Sequence, residues 1–509
     1  MTLSILLWLP LAAALIAALL PAKAAPRAAL LGSLATLGVA ISFLVRFDMA
    51  TSGRLQFVTD REWIPQLGLH YKLGIDGLNL SLVVATAFLF AVALIAANLR
   101  NWDRSKVFYF HLGLAESGVL GAFLAQDVVL FVAFFDLMFI PFYFLCGSWG
   151  SGDRVRATTK LVIYTLVGSL FMLAGAVALG IIAAGSYDRP VTFVISELQR
   201  LPVGQGTQEW IFLCFAAAFL IKMPSFPFHG WMPDTYRSMP LPALAVFSAL
   251  LSKVAAYGFL RIVLPVLPGA STHFQELMLL IALASILYGS VMAFTTTEMR
   301  LVLGYSSVAQ LGFILLGAFA LRGDGAQGAL LQMLNHALVV VPLLLIVGLC
   351  AARAGGSEDL RDMGGIATRA PVLAAMFMIL ALATLAMPGS ANFVGEFLIL
   401  LGVFKAKIAI AVVAFAGVIM ASVYMLRVYI RSMHNRAGEG VRSRELGWGD
   451  AAAIAPVVAV VLFLAVYPQW ALERSERSAA RSVAAARGAP ERPFPKPGAA
   501  PAQLIGRAP

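Results

Sequence analysis

The sequence predicts an all-α, polytopic membrane protein of about fourteen transmembrane helices. Three observations lead there. The 509 residues are 60% hydrophobic and 12% charged, with a mean hydropathy of +0.87, far more apolar surface than a soluble chain could hide. Apolar runs of about 18 residues or more, long enough to cross a bilayer as helices, recur from end to end. Those runs do not alternate, which excludes a membrane barrel, and in lipid only helices or a closed barrel satisfy the backbone.

The spans fall near 3–20, 28–46, 77–97, 107–125, 127–147, 160–184, 210–237, 243–267, 274–296, 300–320, 327–352, 371–404, 407–431 and 448–469. The first lacks a basic leading region and continues into further spans, so it reads as a helix and not as a cleaved signal. Two spans are interrupted. The seventh breaks at Lys222-Met-Pro224-Ser-Phe-Pro227 and the twelfth at Pro388-Gly389-Ser-Ala-Asn392. Paired broken helices at matching places point to an inverted-repeat transporter. The chain then divides into N-terminal helices (1–106), a first repeat of five helices (107–267), a second, inverted repeat (274–431), a last helix (448–469) and a polar tail (470–509).

Lysine and arginine set the orientation. Lys23, Arg27, Arg100, Arg104, Lys106, Arg154, Arg156, Lys160, Arg353, Arg361, Arg369, Arg431 and Arg436 gather in loops on one side. The positive-inside rule places that side in the cytoplasm and both chain ends opposite. The tail after Trp470 is basic and departs from this trend; rich in Pro, Ala and Arg, it reads as disordered or as a docking arm. The formal net charge of +11 is spread over short loops and the tail, so it does not mark a nucleic-acid surface. Cys146, Cys214 and Cys350 lie far apart in apolar runs, with neither metal spacing nor a disulfide framework.

Charges inside the spans are the candidate functional groups. An ammonium at the bilayer centre costs roughly 2.5–3.5 kcal/mol on insertion scales, and such residues usually mark ion or proton paths. Lys222 sits beside the first break and Lys253 about ten residues into the next span. Desolvation favours the neutral amine, so a buried lysine can release a proton. The bland alternatives are a static salt bridge or snorkelling, and Lys222 is too close to mid-span to snorkel easily. Glu116 and Asp136 stand about ten residues either side of the turn at Gln126-Asp127, which puts both about 15 Å below it. Carboxyls at one depth could share a proton, or each could serve a structural partner; Asp136 could pair with Lys222. His336 is either a hydrogen-bonded core residue or a relay near neutral pH. Glu396 lies eight residues past the second break, where exposed carbonyls and water are tolerated. His229 and Asp234 flank the first break and read as no more than anchors of its far half, and Gln310 could hold a water between the two halves. No nucleotide fingerprint, Cys/His metal cluster or serine-histidine triad accompanies them.

Two stretches carry a family resemblance: Lys222-Met-Pro-Ser-Phe-Pro-Phe-His-Gly-Trp-Met-Pro-Asp234, and Ala383-Thr-Leu-Ala-Met-Pro-Gly-Ser-Ala-Asn-Phe-Val-Gly-Glu-Phe-Leu-Ile-Leu400. They resemble the antiporter-like membrane subunits of respiratory complex I, and the second resembles the M type in particular. Gly74-Ile-Asp-Gly-Leu-Asn-Leu80 and the segment from Trp149-Gly to Thr165-Leu-Val-Gly-Ser169 are similar to the same family, so the likeness runs to about residue 435. It implies fourteen core helices, two inverted repeats, and proton translocation driven by quinone reduction elsewhere in a complex. It implies an acid in span five, lysines in spans seven and eight and a glutamate in span twelve, which fall on Asp136, Lys222, Lys253 and Glu396. It implies no cofactor in this chain, with NAD, FMN, iron–sulfur clusters and quinone in partner subunits. The implied partners are the other membrane subunits, above all the two other antiporter-like ones, and lipids, in the inner (plasma) membrane. Two positions depart from the pattern: the span-five acid is usually glutamate, and a histidine often stands where this chain has Gln310.

A sodium/proton antiporter subunit or a membrane-bound hydrogenase subunit would share the fold. Relatives of the antiporter class tend to carry lysine at the position of Glu396, which favours the M type. A passive scaffold is disfavoured, because inert helices rarely keep four isolated charges. The expected mechanism passes charge along the membrane plane through Asp136 and Lys222, Lys253, His336 and Glu396, with proton uptake towards Lys253 and release near Glu396.

Overall fold

The computed structural model describes residues 2–438 and 440–488. Helices occupy the apolar intervals: α1 (Leu3–Leu19), α2 (Ala25–Arg46), α3 (Leu80–Asn98), α4 (Ser105–Leu124), α5 (Val128–Trp149), α6 (Arg154–Tyr187), α7 (Gln205–Lys222), α8 (Met232–Ser238), α9 (Leu241–Val266), α10 (Gln275–Thr295), α11 (Met299–Phe319), α12 (Gly323–Arg353), α13 (Pro371–Thr384), α14 (Ala391–Ala406), α15 (Ile408–His434), α16 (Trp448–Val466) and α17 (Gln469–Gly488). Among the described residues, eleven helices are long and apolar enough to cross a membrane.

Local chemistry starts and stops them. The Asp127 carboxylate accepts from the backbone N–H groups of Val129 and Leu130 at 2.9 and 3.0 Å, closing the N-terminus of α5. Asp153 does the same for α6 through the N–H of Arg156. Both interrupted spans are broken in the structure: Lys222 ends α7, and Leu385–Ser390 separate α13 from α14. The freed backbone groups find partners, as an apolar interior demands. Trp231 Nε1 donates to the Ile221 carbonyl at 2.9 Å, the Phe226 N–H donates to Ser285 Oγ at 2.9 Å, and Asn335 Nδ2 donates to the Ala391 carbonyl at 2.6 Å.

The helices α9, α11 and nearly all of α12 are buried and form the centre. Around them, α6, α10 and α15 turn Ile163, Leu166, Leu170, Leu280, Phe415 and Ile419 outward, an apolar surface suited to lipid tails. Within α9, π-helical turns at Phe247–Leu251 and Phe259–Val263 bracket the turn that carries Lys253. Such bulges are frequent at functional sites.

Two features depart from the sequence expectations. The stretch between α2 and α3, in a chain expected to be all-α, holds an antiparallel hairpin, β1 (Gln56–Ile64) and β2 (Leu69–Ile75), pairing Thr59 with Leu73 and Arg61 with Tyr71. Gly68 closes it at φ +66, and a Cβ there would lie 1.9 Å from the Val191 carbonyl oxygen. Of the two readings of the tail after Trp470, disorder and a docking arm, the structure shows a docked helix over α17; residues 489–509 lie outside the described residues. Its small residues explain the difference. Ala471, Ser475, Ser478, Ala479, Ser482 and Val483 form one buried face, while arginines line the other. Ser478 Oγ donates to the Ser52 carbonyl at 2.8 Å, Thr272 Oγ1 to the Ala486 carbonyl at 3.1 Å and Gln327 Nε2 to the Leu472 carbonyl at 3.1 Å. The helix thus ties the hairpin base to the end of α9 and the start of α12. Beneath it, Arg261 donates two buried hydrogen bonds to the Asp76 carboxylate, at 2.8 and 2.5 Å.

Candidate functional site

Lys222 is wholly buried at the end of α7. Its Nζ donates to Asp136 Oδ1 at 2.6 Å and lies 4.1 Å from the ring centre of Phe135 and 4.8 Å from that of Phe139. The ammonium therefore has one counter-ion and two aromatic faces. Asp136 also accepts from Ser169 Oγ of α6, at 2.5 Å. Its own side chain is 37% exposed, so the pair reaches from the centre of the bundle to its flank.

Glu116 is not part of that pair. Its carboxylate turns towards α2 and accepts from Ser33 Oγ at 3.1 Å. The expected sharing of one proton between Glu116 and Asp136 does not form, because α4 carries the glutamate on the face opposite to the one that meets α5. On that other face Gly118 and Gly121 abut Met138 and Phe134.

Lys253 is completely buried and, among the described residues, has only neutral hydrogen-bond partners, the Ser248 carbonyl at 3.1 Å and Ser252 Oγ at 3.3 Å. His336 is buried on α12, which packs against α9. Its Nδ1 has no partner among the described residues, and it is near enough to Lys253 to feel its charge. Glu396 lies on α14, one turn past the second break. Its Oε1 accepts from Gln310 Nε2 at 2.8 Å and from Gln332 Nε2 at 3.3 Å, and the Gln332 amide also donates to Gln310 Oε1 at 2.6 Å. Gln310 thus binds the glutamate directly instead of bridging the halves through a water. Asp234 is held by Lys160 at 2.5 Å, as an anchor of α8, and His229 packs against Tyr288 with ring centres 4.6 Å apart and planes tilted by 53°.

Ser169, Gln332 and Tyr424 were not singled out for these contacts by sequence reasoning. Gln332 had a usable signal: it stands four residues before His336, on the same face of α12. Tyr424 is buried on α15, which packs against the helix of Glu396.

A helical membrane bundle with two broken helices, a buried lysine–aspartate pair, a second buried lysine and a buried glutamate defines the class of antiporter-like ion-translocating subunits. Comparison with known proteins agrees. Residues 125–421 match the family model of the NADH:quinone oxidoreductase/Mrp antiporter membrane region. The M subunit of the NADH-quinone oxidoreductase of Rhodobacter capsulatus is 35% identical over 92% of this chain and 93% of that protein. A chain of the respiratory complex I of Thermus thermophilus superposes with a TM-score of 0.87 at 29% identity, over 95% of this chain and 99% of that one. A chain of the Mrp complex from Dietzia shares the fold, with a TM-score of 0.80 at 23% identity over 96% and 100%. The chain belongs to the NADH-quinone oxidoreductase subunit M family.

Proposed function

We propose that this chain is the proton-translocating M-type membrane subunit of an NADH:quinone oxidoreductase, in which Lys222, Lys253, His336 and Glu396 carry the protons. The supporting observation is one of charge. A bilayer-spanning bundle keeps two lysines and two glutamates, Glu116 and Glu396, buried, yet of these four only Lys222 has a charged partner among the described residues. Groups held at that expense in a membrane interior are functional by default.

Asp136 sets the state of Lys222. When a charge in a neighbouring subunit draws Asp136 away, the stranded ammonium gives up its proton. Lys253, with neutral partners, takes up a proton when the field along the membrane plane favours it. His336 passes charge on towards Glu396, from which the proton leaves. Glu116, turned to Ser33, stands apart as a further buried carboxyl able to hold a proton. Quinone is reduced elsewhere, by partner subunits that hold NAD, FMN, iron–sulfur clusters and quinone, and this chain takes no cofactor. Its partners are the other complex I membrane subunits, foremost the two other antiporter-like ones, in the cell's inner membrane.

The test is NADH-driven proton uptake in inverted membrane vesicles carrying Lys222→Ala, with NADH oxidation by an artificial acceptor reporting assembly. Loss of pumping and of quinone reduction with the control intact is expected. Pumping at the unmodified rate would remove Lys222 from the proton path.

A further inference from the structure

The buried wall around Glu396 holds polar atoms that no part of the chain satisfies. Among the described residues, Glu396 Oε2, Gln332 Oε1, Asn335 Oδ1, the Tyr424 hydroxyl and both side-chain polar atoms of Asn392 lack a hydrogen-bond partner. They belong to one place. Gln332 and Gln310 hold the other oxygen of Glu396, Asn335 holds the Ala391 carbonyl, and Asn392 stands one helical turn before Glu396. Tyr424 approaches from α15, which packs against α14, and its hydroxyl is buried. Each of these side chains is 3% exposed or less. Buried polar atoms in such a cluster are satisfied by ordered water.

The groups differ in what they can do with a proton. The amides of Gln310, Gln332, Asn335 and Asn392 orient water but do not pass protons on. A phenol hydroxyl both donates and accepts. We propose that Tyr424 is a further proton-relay residue, joined to Glu396 Oε2 through a water between them. The proton leaves Glu396 Oε2 for that water, and the water gives one of its own to the Tyr424 oxygen. The phenol's original proton leaves in the same movement for a water on the far side. Tyrosine ends neutral, one O–H bond having formed and one broken, and nothing is oxidised or reduced. The inference rests on the reading that Glu396 carries protons.

The experiment uses the assembled complex in inverted vesicles, with Lys222→Ala beside Tyr424→Phe, which keeps the ring and removes only the hydroxyl. Tyr424→Phe is expected to slow NADH-driven proton uptake on the order of tenfold or more while artificial-acceptor oxidation persists. The infrared carbonyl band of Glu396, assigned through Glu396→Gln, is expected to shift as its water network changes. If Lys222→Ala stops pumping but Tyr424→Phe pumps at the unmodified rate with an unmoved band, the relay role falls and the proton-path reading stands. If Lys222→Ala also pumps normally, that reading falls as well. Should Tyr424→Phe fail to assemble, 3-fluorotyrosine placed at 424 keeps the shape and acidifies the hydroxyl. A changed pumping rate supports the relay, and an unchanged one overturns it.

Discussion

Lys222 Nζ stands 2.6 Å from Asp136 Oδ1, with the lysine side chain fully buried and the aspartate side chain 37% exposed. The asymmetry makes the acid the reachable half of the pair. A charge outside this chain can act on Asp136 directly, and Lys222 responds because it has no other counter-ion among the described residues.

Asp136→Asn keeps the shape and removes the charge. Removing one partner of a fully buried pair costs about 3–5 kcal/mol, and the part exposure of Asp136 puts this case at or below the lower figure. The complex is therefore expected to assemble, with artificial-acceptor oxidation retained, while proton uptake falls on the order of tenfold. Asp136→Glu is expected to keep pumping within about twofold, since the carboxylate still reaches Nζ. Proton uptake in inverted vesicles separates the two. An equal loss in both would mean that the site requires the length of aspartate as well as its charge.

Gln310 and Gln332 fix Glu396 through one oxygen, at 2.8 and 3.3 Å. Gln310→Leu would strip the shorter bond and leave Gln332 Nε2 without its acceptor on Gln310. A buried polar group left unsatisfied costs about 1–3 kcal/mol. Faster thermal inactivation of the complex and weaker pumping are expected. Gln310→His restores a donor to Glu396 and should recover both. A Gln310→Leu complex with unchanged heat resistance would show that water replaces the amide fully.

The loop between α12 and α13 carries a pH-sensitive fastening. The side chain of Arg361 hydrogen-bonds Asp359, with the Arg361 N–H and Thr297 hydroxyl adding to it, and holds the carboxyl down from 3.8 to about 2. A carboxyl whose folded pKa is depressed stabilises the folded loop above its unfolded value and loses that contribution as pH falls through the folded one. The window is thus from about pH 4 down to about pH 2. Pepsin cleavage within 354–370 of the solubilised complex should rise across that window. Asp359→Asn should flatten the rise, and a flat profile in the unmodified chain would rule the fastening out.

How much of this was legible in the sequence follows from what each residue depends on. The breaks at Lys222 and Pro388, and the Lys222–Asp136 pair, were legible because a proline or a charge in an apolar run is conspicuous whatever surrounds it. The separation of Glu116 from Asp136 was not. Equal depth follows from counting residues, but which face of α4 meets α5 depends on Gly118 and Gly121, whose packing no spacing reports. The hairpin was hidden by its mixed pattern, Gln-Phe-Val-Thr-Asp-Arg-Glu-Trp-Ile, with little of the alternation that a half-buried strand shows. The helix α17 was hidden by composition. Its buried face is alanine and serine, too weakly apolar to register, and it is fixed by carbonyls of the hairpin base that lie over 400 residues away in sequence.

That long-range docking gives the last prediction. Gly77, within the stretch from Gly74 to Leu80, lies directly under α17. A Cβ on Gly77 would sit 2.1 Å from the Arg474 carbonyl oxygen and 3.0 Å from Ser478 Oγ. The first is backbone of a helix and cannot swing aside, so in Gly77→Ala the whole helix must lift. Overpacking of this kind costs typically 1–3 kcal/mol, which converts to about 5- to 150-fold more of the undocked form. Trypsin should then cut at Arg474, Arg477 and Arg481 faster by a comparable factor in the solubilised complex. Gly38, on α2, has open space where its Cβ would go, so Gly38→Ala should leave cleavage unchanged. If Gly77→Ala also left it unchanged, α17 would be held mainly by its other contacts, at Thr272 and Gln327, and its seat on the hairpin base would be incidental.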